Sequence, residues 1–200
     1  MMPPSTKFIE SICLENGELK NLHLHQRRLD LTTLAHFGFS VRIDLKTQLE
    51  RRSLPAVGLF KVRVTYDRTV LSIDVDPYQR HTVQHIKLVE ADSIDYRFKY
   101  ADRRQLDALR QDLAPGTQPV IVQRGLITDA IYANVCVFDG ERWLTPARPL
   151  LAGVARAAAL EAGEILPAAI TAEDFLAGKY SRLKLINCMA LFSVAEEIVL

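Results

Sequence analysis

Asn16 and Gly17 stand between an alternating run, Phe8–Glu15, and the apolar start of another at residues 19–22. An Asn-Gly loop of two residues favours the turn whose central residues both take positive φ, and that turn joins antiparallel strands. The chain therefore opens as a hairpin. Residues 24–37 then place Leu24, Leu31, Leu34 and Ala35 on one side and stop at Gly38, which reads as a helix with that face inward. A shorter helix is expected over residues 44–52, closed by Ser53-Leu54-Pro55. Residues 58–66 alternate, with Leu59, Lys61, Arg63 and Thr65 on one side and Phe60, Val62, Val64 and Tyr66 on the other.

The stretch DPYQRHT, residues 76–82, breaks this pattern and reads as a linker between a small domain, 1–80, and a larger one, 81–200. Beyond it, strands are expected at 86–91, 94–100, 120–123, 131–138, 142–145, 183–186 and 194–199, with residues 124–130 as a connection. Helices are expected at 101–113 and 153–162, and Thr171 reads as the N-cap of another. Strands and helices mix without regular alternation, so the fold class is α+β.

Composition narrows the function. Of 200 residues, 25 are basic and 24 acidic, a net charge of +1, which favours neither nucleic acid nor an anionic membrane as partner. The pairs Arg27–Arg28, Arg51–Arg52 and Arg103–Arg104 read as solvated. No apolar run reaches the roughly 18 residues of a membrane helix, and the opening MMPPSTKF has no apolar signal core. Cys13, Cys136 and Cys188 are far apart and sit in apolar stretches, so they read as reduced and buried in a cytoplasmic protein. Metal-ligand spacings are missing; His23 and His25 read as surface or packing residues.

Four stretches carry the chemistry. VRVTYD surrounds Arg63, KYADRR begins at Lys99, GLITDAIYAN…DGERWLTP begins at Gly125, and PLLAGVAR begins at Pro149. In this order they resemble the class IV pyridoxal-phosphate (PLP) enzymes: branched-chain and D-amino-acid aminotransferases and aminodeoxychorismate lyase. FIESICLENGELKNLHLHQRRLDLT is similar to that family's opening hairpin and helix. The resemblance implies the two-subdomain fold of D-amino-acid aminotransferase, pyridoxal 5'-phosphate as cofactor, a small amino substrate and a homodimer.

It also implies roles. PLP needs an amine, an anion for its ring nitrogen and a phosphate cradle. Lys99 matches the Schiff-base lysine; such an amine has to be neutral to attack, which burial beside other cations favours. In the 94–100 alternation Lys99 shares a side with Asp95 and Arg97, which a solvated face would also explain. Asp129 stands where the family has the glutamate that holds the ring nitrogen. Being one methylene shorter, it needs its strand about 1–1.5 Å closer, or a bridging water. Arg63 matches the phosphate-binding arginine, and the backbone amides of Val154 and Ala155, after Gly153, match the phosphate-binding helix start. Ala155 replaces a threonine, and Ala130 a glycine. The family's late hydroxyl contact falls on Asn187 or Cys188, of which Asn187 is the better donor and acceptor. Asn134 matches a motif asparagine that either touches ligand or fixes the strand or its loop, and the structural role is read ahead of the other. Arg103 matches a structural arginine, Arg104 stands where aminotransferases have a tyrosine, and Trp143 and Arg156 read as scaffold.

The short interval between Arg63 and Lys99 favours the lyase branch, which releases pyruvate and 4-aminobenzoate from aminodeoxychorismate. The alternatives are a class IV aminotransferase and a degenerate member that binds without catalysis.

Overall fold

The computed structural model describes residues 6–80 and 82–200. The opening MMPPS and His81 of the expected linker lie outside them. By its internal contacts the chain divides into two units. One runs to Arg80 and takes in Phe98–Asp102; the other holds the residues that follow Arg80 up to Arg97, and Arg103–Leu200.

In the first unit β1 (Phe8–Glu15) turns through Asn16 (φ 50°) and Gly17 (φ 82°) into β2 (Glu18–Leu19). The return strand is shorter than expected, because α1 (Leu22–Phe37) starts at once. Then come α2 (Leu45–Glu50), β3 (Leu59–Tyr66) and β4 (Val70–Pro77). β4 extends two residues into the expected linker. The sheet order is β2-β1-β3-β4, antiparallel throughout. Phe8, Ile12, Leu14, Val62, Val64 and Tyr66 form its buried face, with Leu29, Leu45 and Leu49 from the helices.

The inward face of α1 differs from the expected one. Leu31 and Leu34 are 57% and 51% exposed, whereas Leu24, His25, Leu29, Thr32 and Thr33 are buried. Burial follows the polar groups because Glu10 of β1 is itself buried beneath the helix.

The second unit contains β5 (His85–Glu90), α3 (Arg104–Ala108), β6 (Thr117–Gln123), β7 (Leu126–Ala130), β8 (Ala133–Phe138) and β9 (Trp143–Pro146). After these come α4 (Val154–Glu161), β10 (Leu166–Ala168), α5 (Ala172–Leu176), β11 (Arg182–Ile186) and β12 (Ile198–Val199). β5 and β6 are parallel; β6, β7, β8 and β9 run antiparallel in sequence. β11 lies along one edge of β8, while β7 holds the start of its other edge and β9 the end.

Several expectations fail here. Residues 94–100 form no strand, and the helix over 101–113 shrinks to α3, where only Leu106 is buried. Residues 124–130 are a turn followed by β7: Arg124 itself adopts φ 53° beside Gly125 at φ 75°, closing a two-residue hairpin without the Asn-Gly signature. Only Ile198 and Val199 of 194–199 form a strand. Cys13 and Cys136 are buried, but Cys188 is half-exposed. Thr171 does cap α5, accepting from the Asp174 amide at 2.9 Å. Among the described residues no helix is long and apolar enough to cross a membrane.

Candidate active site

Lys99, expected in the larger domain, belongs to the first unit. Tyr100 pairs with Phe8, the Ile9 amide donates to the Lys99 carbonyl at 2.9 Å, and the Ala101 amide donates to the Lys7 carbonyl at 2.8 Å. These bonds tie the segment to the edge of β1. The Tyr100 amide also donates to the Phe98 carbonyl at 2.8 Å, so Lys99 is the apex of a three-residue turn. Phe98 and Tyr100 pack their rings against Phe8 in the core. The register sets Lys99 opposite Ile9, on the other face of the sheet.

Arg63 lies on that same face. It stands opposite Ser11 of β1 and Asp74 of β4. Strand spacing puts its Cα about 12 Å from that of Lys99, two strands across and two residues along. Both side chains are half-buried. Among the described residues no group hydrogen-bonds or ion-pairs with the Arg63 guanidinium. A half-buried fork of donors with no protein acceptor fits an anionic ligand group such as a phosphate.

In the second unit Asp129, on β7, is 3% exposed. One carboxylate oxygen accepts from Asn134 Nδ2 and the other from the Leu151 amide, each at 2.7 Å. Asn134 Nδ2 also donates to the Leu151 carbonyl at 2.9 Å. Asn134 thus buckles the β7–β8 hairpin to the loop before α4, which is the structural role read for it. Burial pushes the Asp129 carboxyl up to about 7, although Leu151, Asn134 and Arg156 all act to lower it. Among the described residues no Lys, Arg or His forms an ion pair with it. A buried carboxylate met only by neutral donors suits a cationic ring N–H as its counter-charge.

The same loop delivers α4. Gly153 is its N-cap, in extended conformation, and no side chain caps the helix. The amides of the first turn, those of Val154 and Ala155 among them, remain as donors for an anion. Arg156 holds the loop: its guanidinium donates to Thr145 Oγ1 at 3.3 Å and to the Pro146 carbonyl at 2.9 Å.

Asn187 follows β11 beside this hairpin. Its side-chain oxygen accepts from the amides of Met189 (2.8 Å) and Ala190 (3.0 Å), and its Nδ2 donates to the Tyr132 carbonyl at 3.2 Å. The carboxamide is largely committed to the local turn, with one N–H left over. The second unit therefore brings together Asp129, Asn134, Gly153, Val154 and Ala155, with Asn187 alongside; Lys99 and Arg63 share a face in the first.

Two of the arginine pairs are not simply solvated. Arg103 donates to the Ile131 carbonyl at 2.6 Å and to the Tyr96 hydroxyl at 3.1 Å, and lies 4.5 Å from the Tyr132 ring centroid. Arg28 is bonded to Glu10. Sequence reasoning missed the buried cluster of Glu10, His25 and Arg28. The signal was present: Glu10 occupies an inward position between Phe8 and Ile12, and His25 and Arg28 are one helical turn apart.

No family model matches the chain. An uncharacterized protein of Haemophilus influenzae is 30% identical over 190 residues, 91% of this chain and 97% of that one. The crystal structure of a proposed 4-amino-4-deoxychorismate lyase from Haemophilus somnus is 28% identical, with a TM-score of 0.87 over 96% of this chain and 100% of that one. The PLP-bound form of a hypothetical aminotransferase from Mycobacterium tuberculosis is 17% identical, with a TM-score of 0.69 over 96% of this chain and 80% of that one. With these likenesses and the motif order, the chain belongs to the class IV PLP-dependent enzymes, the family of aminotransferases and aminodeoxychorismate lyases.

Proposed function

We propose that the protein is a PLP-dependent lyase that converts 4-amino-4-deoxychorismate to 4-aminobenzoate and pyruvate. The observation that carries the cofactor reading is the pair Lys99 and Arg63: an amine and a partnerless guanidinium on one face of one sheet. The lyase reading is favoured by the end-to-end likeness to the Haemophilus somnus protein.

Bound PLP supplies an aldehyde and an electron-poor ring that accepts the electrons of a substrate carbanion. Lys99 Nζ would hold the aldehyde and would supply the base that moves the proton at the carbon bearing the substrate amine. Asp129 holds the ring N–H and keeps it charged. Arg63 and the amides of Val154 and Ala155 hold the phosphate, while Asn134 keeps the loop of Leu151 in place for them. The Asn187 N–H that the turn leaves over is a further phosphate donor. The substrate divides into its two products without a second reactant, so the reaction needs no keto-acid acceptor.

Purified protein with PLP should be yellow, lose that absorbance on borohydride treatment, and retain the reduced adduct on Lys99. Lys99→Ala should lack the band. Incubation with 4-amino-4-deoxychorismate should release pyruvate with no keto acid added. Release only when a keto acid is present would instead make the protein an aminotransferase, and a colourless protein that takes up no PLP would end the enzymatic reading. The family resemblance also implies a homodimer, which light scattering on the purified protein would test.

A further inference from the structure

Glu10 is a carboxylate at the centre of an apolar face. Phe8, Ile12 and Leu14 share its side of β1, and both Glu10 and His25 are 0% exposed. Two residues of α1 meet it. Arg28 Nε donates to Oε1 at 2.9 Å and a terminal guanidinium nitrogen donates to Oε2, a bidentate grip. His25 Nδ1 lies 2.5 Å from Oε2. Burial alone would raise the Glu10 carboxyl, but Arg28 and His25 outweigh it and hold it at about 2. The carboxylate is therefore ionised and accepts from a His25 Nδ1 that carries its hydrogen.

A buried ionic cluster is a poor way to gain stability alone, since apolar residues of the same volume often do better. What it can fix is a unique arrangement. In a strand, a slip of one residue exchanges every side chain between faces. For β1 that slip would drive Glu10 out of its cluster. The two residues beside Glu10 are those that touch the proposed cofactor groups: Ile9, whose amide holds the Lys99 carbonyl, and Ser11, which stands opposite Arg63. We propose that Glu10, gripped by His25 and Arg28, is a positioning residue that pins β1 in the register presenting Lys99 and Arg63 on one face. The cluster acts through the backbone of β1 and touches no reacting atom. This inference rests on the reading of Lys99 and Arg63 as cofactor ligands.

The test compares Glu10→Gln with Leu29→Ala, which loosens α1 through its fully buried apolar contact in the same core. Two readouts are taken on the full chain: PLP affinity by absorbance titration, and hydrogen exchange of the Ile9 amide in the cofactor-free protein. Glu10→Gln should weaken PLP binding about tenfold or more, the scale typical of supporting-shell residues, and speed exchange at Ile9. Leu29→Ala should lower the melting temperature while keeping PLP affinity within about twofold and Ile9 protected. Arg28→Lys, which keeps the charge but not the fork, should fall between, and it takes the place of Glu10→Gln if that variant does not fold. Wild-type affinity and Ile9 protection in the Glu10 or Arg28 variant would overturn the proposal, as would equal effects from Leu29→Ala. If the wild type itself takes up no PLP, the Lys99 reading has failed, and exchange at Ile9 alone decides the positioning role.

Discussion

A Cβ added to Gly153 would stand 1.9 Å from Asn134 Oδ1. The backbone at Gly153 (φ −72°, ψ 145°) is open to any residue, so the demand for glycine there is steric. Asn134 cannot simply swing aside, because its Nδ2 is bonded to both Asp129 and the Leu151 carbonyl.

Gly153→Ala should therefore break the Asn134 buckle, costing about 1–3 kcal/mol of stability and weakening PLP binding. Asn134→Ala combined with Gly153→Ala should be less destabilised than the sum of the two single changes. Thermal unfolding of the four proteins in this cycle measures the coupling.

Asp129 gives a pH signature. Its carboxyl is raised to about 7 in the folded chain, mainly by burial, so between roughly pH 4 and 7 the folded state binds a proton that the unfolded state has lost. Its contribution to stability is thus present below pH 4, falls as pH rises to 7, and is level beyond. Asp129→Asn in the cofactor-free protein should remove this fall, on the order of a few kcal/mol. Urea unfolding of both proteins at pH 4.5 and 7.5 should show a wild type that loses more stability over that interval than the variant.

Arg63 should discriminate phosphate from ring. Arg63→Ala is expected to weaken PLP binding by about 10–100-fold, the value of a charge-assisted bond, and to leave the weak binding of phosphate-free pyridoxal unchanged. An equal loss for both ligands would assign Arg63 to the support of the sheet.

Arg103 is expected to matter through shape as well as charge. Arg103→Lys loses the fork that reaches both the Ile131 carbonyl and Tyr96, and the guanidinium contact with the Tyr132 ring. A loss of about 1–3 kcal/mol in stability is expected, measured by thermal unfolding.

The elements with strong local signals were legible in the sequence. Asn16-Gly17 announced its hairpin, Gly38 its helix stop, Thr171 its cap, and β1 and β3 their alternation. What was not legible depended on distant partners. The inward side of α1 is set by Glu10 across the sheet, and β7 begins at a turn in which an arginine takes a left-handed conformation. Periodicity also misread residues 94–113, where Lys99 rides on a turn stitched by two backbone bonds to Ile9 of β1 and to Lys7 just before it, and a short helix buries only Leu106. Asp129 was singled out by the family resemblance, but its hydrogen-bond partners were not: Asn134 lies across the hairpin on β8 and Leu151 in a loop 22 residues on.

The small sheet borrows Phe98–Asp102 from a later part of the chain, and two rings that seal Phe8 come with the loan. A polypeptide ending at Arg80 would leave Phe8 open to water along that edge. On the ribosome the sheet has to wait until Asp102 has emerged before it can close, so its maturation is timed by sequence that lies beyond its own last strand.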